Sequence, residues 1–244
     1  MKESGFKIPY GENDGKMVHV RSVESGKHLD IVCPVCKGPL IARKGDKRSH
    51  HFAHATSSQQ CSAESILHLT GKRLLLERIS NAITNEEPLR MNWICGECGN
   101  TNEGDLGKKA SSVESERMLV GCRPDICILD SSGVPVILVE VVVSHKPDDN
   151  VIRFVREKKC GLVEFHLSTE DDLIRLEDEI LIPTKVHPCK HDSCRGSLSE
   201  TSAKTTPTDN QDRSQPGRRL GCMSIGILTV AALITFVWVK ILKK

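Results

Sequence analysis

The stretch "VILVEVVVS", residues 136–144, is apolar throughout except for Glu140 and the closing Ser144. A short run so rich in Val, bounded by "SSG" before it and Pro147 after it, reads as a strand buried on both faces. Such a strand belongs inside a sheet covered by helices, so it constrains the architecture before any motif is considered. A bare carboxylate within it is unfavourable unless it is paired or bound to a cation. Glu140 therefore meets either a basic group, Arg123 or His145, or a metal ion.

The neighbouring segments supply the rest of such a sheet. "CSAESILHLTGKRLLLERISNAI" places Ile66, Leu67, Leu74, Leu75, Ile79 and Ile83 at helical spacing. On that helix Glu64, His68 and Lys72 stand four residues apart in a polar row. On a lone helix that row is a solvated face with an ion pair. "SERMLVGC" and "RPDICILD" then suggest strands, Ser131-Ser132-Gly133 a turn, and "VPVILVEVVVS" a further strand. "PDDNVIRFVREKKC" reads as a helix starting at Pro147, "GLVEFHLS" as a strand and "EDDLIRLEDEI" as a short helix. The expected class is α/β with a mixed sheet, in the order αβββαβ. Strand alternation puts Glu140 and Val142 on one face. An Asp opening one strand and a Glu on its neighbour, here Asp125 and Glu140, can clamp Mg²⁺ or Mn²⁺, which stabilises a phosphoryl transition state and activates water.

Cysteine is abundant, at 11 residues. The N-terminal stretch is polar and has no signal-peptide core, so reduced thiolates holding metal are expected rather than disulfides. "CPVCKGPLIARKGDKRSHHFAH" offers Cys33 and Cys36 on a tight knuckle followed by His50, His51 and His54. That mix of sulfur and imidazole suits tetrahedral Zn²⁺. The expected ligands are Cys33, Cys36, His51 and His54, with His50 or Cys61 able to replace one of them. "WICGECGN" gives half of a second zinc site, Cys95 and Cys98. Cys189 and Cys194 are the nearest closing pair, with His187, His191 and Cys122 in competition.

The far C-terminus poses a different solvent problem. Residues 220–239, "LGCMSIGILTVAALITFVWV", carry no charge. A helix of that length spans roughly 30 Å, the thickness of a bilayer core. Arg218, Arg219, Lys240, Lys243 and Lys244 flank it, and Trp238 falls near one interface. A single-pass C-terminal anchor is expected, with the bulk of the protein cytoplasmic because metal-bound thiolates belong on the reducing side. Residues 195–219 are rich in Ser, Thr, Asp and Pro and are expected to form a disordered tether. The expected organisation is a β/zinc-knuckle module at 1–60, a core at 61–194 with the second knuckle inserted, the tether, and a transmembrane helix at 220–239. The formal charge of +2 implies no strong polyelectrolyte partner, and 3% aromatic residues argue against a base-stacking surface.

Together these motifs resemble the competence protein CoiA-like family of the PD-(D/E)XK nuclease superfamily. The resemblance covers roughly residues 17–170 and rests on "CPVC" ahead of "HHFAH", on "CSAESILHLTGK", on "RPDICI", and on "VEVVVSH" ahead of "VEFHLS". It implies a restriction-endonuclease-like core behind a zinc module, acting on DNA. Carried over residue by residue, it makes Asp125 and Glu140 the metal-binding carboxylates and Glu64 the acidic residue of the first helix. His68, Lys72 and His145 match positions near the presumed site. The sequence departs from the superfamily at Val142, where a Lys or another polar residue is usual. Lys72, or else Lys146, could supply that cation from another element. Without it the implied protein is a catalytically inactive zinc module that binds nucleic acid or a protein partner at the membrane.

Overall fold

The computed structural model describes residues 7–47, 49–56 and 61–188. The chain separates into a unit Met1–Ser202 and a unit Ala203–Lys244, and the second lies wholly outside the described residues. So do the expected tether and membrane span. Among the described residues no helix is long and apolar enough to cross a membrane.

The fold is mixed α/β. Five strands, β1 (Tyr10–Asn13), β2 (Lys16–His19), β3 (Gly26–Val32), β4 (Pro39–Arg43) and β5 (His51–His54), form an antiparallel sheet in the order β2-β1-β3-β4-β5. Ile8, Val20, Ile31, Leu40 and Phe52 fill its core, and Ile66 of helix α1 (Ala63–Thr84) joins them. The remainder of the α1 stripe, including Leu67, Leu74, Leu75 and Ile79, packs into a second and larger core. One helix thus serves both sheets. It starts at Ser62, whose hydroxyl accepts the Ser65 amide N–H at 3.0 Å.

After α1 come a hairpin, β6 (Arg90–Ile94) with β7 (Thr101–Asp105), and then β8 (Ser112–Ser115), β9 (Ile126–Leu129) and β10 (Pro135–Val142). Helix α2 (Asp149–Lys158), β11 (Gly161–His166), α3 (Glu170–Arg175) and β12 (Lys185–His187) follow. The second five-stranded sheet runs β12-β11-β10-β9-β8, with β10 parallel to β11 and its other pairs antiparallel. With the β6–β7 hairpin set aside, the order α1-β8-β9-β10-α2-β11 reads αβββαβ, although the first of its three strands is not the segment expected. β10 is covered on both faces, as its composition required. Val139 and Val141 join the α1 side, while Leu138 joins Val151, Phe154 and Val155 of α2.

Some boundaries differ from expectation, and α3 stops at Arg175, short of the reading through "EDDLIRLEDEI". "SERMLVGC" is not a strand: β8 ends at Ser115, and the chain then turns, with Met118 72% and Val120 87% exposed and Gly121 at φ +81°. Leu119 and Cys122 pack on the α2-side core and bridge each other, so the segment closes on itself instead of extending a sheet. Pro147 lies before α2 rather than at its start, because Asp148 is the N-cap and accepts the Asn150 amide at 2.8 Å.

Two local features position the site. Between β9 and β10, Asp130 Oδ1 accepts the Ser132 and Val134 amides at 2.9 and 3.0 Å, and Gly133 takes φ +73°. The turn pairs Pro135 with Leu129, and a one-residue register shift between Pro135 and Ile137 then sets Ile126 opposite Val139, so Asp125 comes opposite Glu140. A slip of one residue would send Glu140 to the other face. The second feature is Gly71: a Cβ there would stand 2.4 Å from Leu167 Cδ1 and 3.3 Å from Val141 Cγ1. Glycine in a helix costs about 1 kcal/mol, and here its missing side chain lets α1 lie directly on the sheet.

Candidate active site and metal centre

Where α1 crosses the ends of β9 and β10 there is a cavity of about 550 Å³, lined among others by Glu64, His68, Lys72, Glu116, Asp125 and Glu140. The polar row of α1 thus lines a cavity, with Lys72 buried in it, His68 half-buried and Glu64 exposed at its rim. Asp125 Oδ2 accepts the Val141 amide N–H at 2.9 Å and lies 3.1 Å from His68 Nε2. Lys72 Nζ stands 3.9 Å from Asp125 Oδ1. The Asp125 amide N–H donates to Glu140 Oε1 at 3.4 Å. At the rim, Glu64 accepts the Ser144 hydroxyl and stands 3.2 Å from His145 Nδ1. The sequence-derived set Glu64, Lys72, Asp125 and Glu140 is therefore brought together in one cavity.

The two central carboxylates titrate in opposite directions. Burial pushes the Glu140 carboxyl up to about 8, and the neighbouring Asp125 charge adds to it. Burial would raise Asp125 as well, but its hydrogen bonds with His68 and the Val141 amide outweigh that and hold it below its ordinary value. Adjacent oxygens that cannot both ionise comfortably without a cation are a hard donor set of the kind Mg²⁺ or Mn²⁺ takes. Glu64 is also held low, chiefly by its hydrogen bond from Ser144.

Val142 is 8% exposed and lines the same cavity without a polar atom. Lys72 enters from α1 with 6% exposure and also pairs with Glu116. Lys146, the other candidate cation, lies on the cavity wall and is exposed. Neither basic partner considered for Glu140 holds it: Arg123 stands 3.8 Å from Glu116, and His145 pairs with Glu64.

Sequence reasoning missed Glu116 and Glu164. Glu116 is one acid in a polar loop, and only the fold of the β8–β9 turn points it at Lys72. Glu164 is 4% exposed and sits beside Glu140 in the parallel β10–β11 register. Burial would raise it, but the adjacent His187 and His166 imidazoles hold it at about 2. Its position within an apolar strand, like that of Glu140, was the available signal.

The second centre is sulfur-rich. Cys33, Cys36, His54 and Cys61 bring their ligand atoms within 4.8 Å of one another. Cys33 Sγ and Cys61 Sγ are 3.7 Å apart, and Cys36 Sγ and His54 Nε2 3.4 Å. Tetrahedral Zn²⁺ with bonds of about 2.3 Å to sulfur and about 2.0 Å to nitrogen requires ligand separations of about 3.8 and about 3.5 Å. This Cys₃His cluster is thus compatible with a structural zinc ion, its four protein ligands leaving no open position. Burial pushes the Cys33 thiol up to about 12, so a thiolate there needs a cation beside it.

His51, which the sequence offered as a ligand, lies outside this cluster. On β5, His51 and His54 are three residues apart, and a strand's period of two sends them to opposite faces. His51 Nδ1 instead lies 2.8 Å from the Ser49 carbonyl, and Cys61, at the threshold of α1, takes the fourth place. Cys95 and Cys98 form the turn of the β6–β7 hairpin. Cys189 and Cys194, expected to close that site, lie outside the described residues, as does His191. The other competitors are placed elsewhere: Cys122 is in the α2-side core, and His187 stands 3.5 Å from Glu164.

No curated protein and no solved structure matches the chain. Residues 19–64 match the family model "Competence protein CoiA, N-terminal domain". The match takes in all four residues of the Cys₃His cluster and ends at Glu64, on the first turn of α1. Over those residues the sheet that carries the cluster is similar to that N-terminal domain.

Proposed function

We propose that this chain is a divalent-metal-dependent nuclease that hydrolyses DNA phosphodiester bonds, held at a membrane by residues 220–239 with its bulk on the cytoplasmic side. The observation that carries this reading is the convergence of Asp125, directly before β9, and Glu140 of β10 with Glu64, His68 and Lys72 of α1 on one cavity. The αβββαβ order of the elements supports a restriction-endonuclease-like core.

Asp125 and Glu140 would hold Mg²⁺ or Mn²⁺, and their buried oxygens fit such a hard cation. When bound, the ion stabilises charge on a phosphate and acidifies water. The residues do the rest. His68 and the Val141 amide fix the orientation of Asp125. Glu140 must shed its proton to serve, so the site strengthens as pH rises towards 8. Lys72 supplies, from the helix, the positive charge that Val142 cannot, and offsets charge developing on the phosphate. Glu64, oriented by Ser144 and His145, faces the cavity from its rim and is placed to hold water or a further oxygen of the metal shell.

Val142 favours one alternative, a catalytically inactive zinc module that binds nucleic acid or a protein at the membrane. The test is cleavage of single- and double-stranded DNA by the purified full-length chain with Mg²⁺ or Mn²⁺. Asp125→Asn and Glu140→Gln should each remove most activity while the fold stays intact. Lys72→Met should lower it about 100-fold. Wild type that binds DNA but does not cut it, and binds no better than the two carboxylate variants, leaves the inactive module standing.

A further inference from the structure

We infer that Lys72 and Arg123 together form the seat of a DNA phosphate, and that the Glu116 carboxylate fills that seat until a substrate displaces it. The seat presumes the reading above, in which the chain acts on DNA, and it names the contact through which the cavity takes hold of its substrate. One carboxylate spans both cations. Lys72 Nζ donates to Glu116 Oε1, and Arg123 Nη1 stands 3.8 Å from Glu116 Oε2. A phosphodiester offers its surroundings the same feature, two oxygens sharing a negative charge on one centre, and Arg and Lys are the side chains that meet it.

The charge balance of the cavity requires such an exchange. Its wall carries Glu64, Glu116, Asp125, Glu140 and Asp148 against Lys72 and Lys146. That excess of acids repels an entering anion. Asp125 and Glu140 are answered by the cation they would hold. Lys72 has no charge to spare, because it is buried with Glu116 on one side and Asp125, 3.9 Å away, on the other. It can offset charge on a phosphate only when Glu116 leaves it. The same movement releases Arg123, which is 59% exposed and lies two residues before Asp125.

Glu116 is held in place by its backbone and is free to leave by its side chain. Its amide N–H donates to the Asp125 carbonyl at 3.0 Å, which fixes the main chain beside the carboxylates. It takes φ +52°, a left-handed conformation that a residue with a side chain adopts at a cost, and one that recurs where function needs a side chain aimed. The contact with Lys72 keeps its carboxyl below the ordinary value, so it stays charged. Yet the side chain is 45% exposed. A rotamer change carries it into solvent within nanoseconds, with no movement of the backbone. An ion pair so exposed adds little to the stability of the fold, so breaking it costs the fold little.

The test is DNA binding by the full-length chain, read as fluorescence anisotropy of a labelled oligonucleotide with Ca²⁺ in place of Mg²⁺, so that binding is measured apart from cleavage. Glu116→Gln keeps the shape, removes the charge and should bind about 10-fold more tightly than wild type. Glu116→Asp, one methylene too short to span both cations, should shift binding in the same direction. Glu114→Gln removes an acid of similar exposure from the same segment and should change binding by about 2-fold or less. In the Glu116→Gln background, Arg123→Ala should weaken binding about 10-fold and lower the slope of log Kd against log salt by about 1. In wild type the same substitution should cost less, because there Arg123 exchanges one anion for another. Glu116→Gln that binds no tighter than Glu114→Gln overturns the displacement, and so does an Arg123→Ala cost that is equal in the two backgrounds. DNA bound by none of these proteins overturns the seat together with the reading it presumes, whereas DNA bound as expected but left uncut with Mg²⁺ removes the nuclease and leaves the seat.

Discussion

Glu140→Gln separates the electrostatics of the carboxylate cavity from its shape. The substitution keeps the side chain's volume and removes its charge. In the folded protein the Glu140 carboxyl is pushed from its ordinary 4.5 up to about 8, by burial and then by Asp125. Between those two pH values the folded state holds a proton that the unfolded state has lost. Stability therefore falls as pH rises through that window. With solvent fully excluded the difference would approach about 5 kcal/mol, and Glu140 is only partly buried, so about 2–3 kcal/mol is expected. Denaturant unfolding of the zinc-loaded protein, without added Mg²⁺ or Mn²⁺, measures it. The variant should match wild type near pH 4, gain on it steadily, and be more stable by that amount at pH 8 and above. Millimolar Mn²⁺ at pH 8 should then stabilise wild type, because a ligand that binds only the folded state shifts the equilibrium towards it, and should leave the variant unchanged. A gap between the two proteins that stays flat from pH 4 to 9, or equal stabilisation of both by Mn²⁺, would refute the reasoning.

Cys61→Ser should lose the zinc of the Cys₃His cluster and melt like chelator-treated wild type, whereas His51→Ala should keep both its zinc and its melting temperature; metal analysis with thermal melts decides between them. Gly71→Val places methyl groups against Leu167 and Val141 and should destabilise by about 1–3 kcal/mol, with lower activity because the residues of α1 that face the cavity shift; unchanged unfolding would show that α1 does not need its close approach. Arg at both Val230 and Ile234 should disfavour membrane insertion by roughly 2.5–3.5 kcal/mol each and release the protein to the supernatant after ultracentrifugation, and wild type already found there would sink the anchor.

Much of this protein is written in its local pattern. The apolar run around Glu140 requires a strand covered on both faces, because burying its Val and Ile side chains demands neighbours on each side, and β10 has them. The stripe on residues 63–84, started by the Ser62 cap, is enough to define α1. C-x-x-C spacing is enough to define the two knuckles, since their hydrogen bonds close within six residues. Tertiary structure decided which distant groups meet. Cys61 rather than His51 completes the Cys₃His cluster because strand parity, invisible until β5 has a register, turns His51 away. Lys72 reaches Asp125, and Glu116 reaches Lys72, only because Gly71 lets α1 lie on the sheet and the β8–β9 turn folds back over it. The raised pKa of Glu140 has the same origin: a carboxylate's burial and the charge opposite it belong to strand pairing and not to the strand's own sequence.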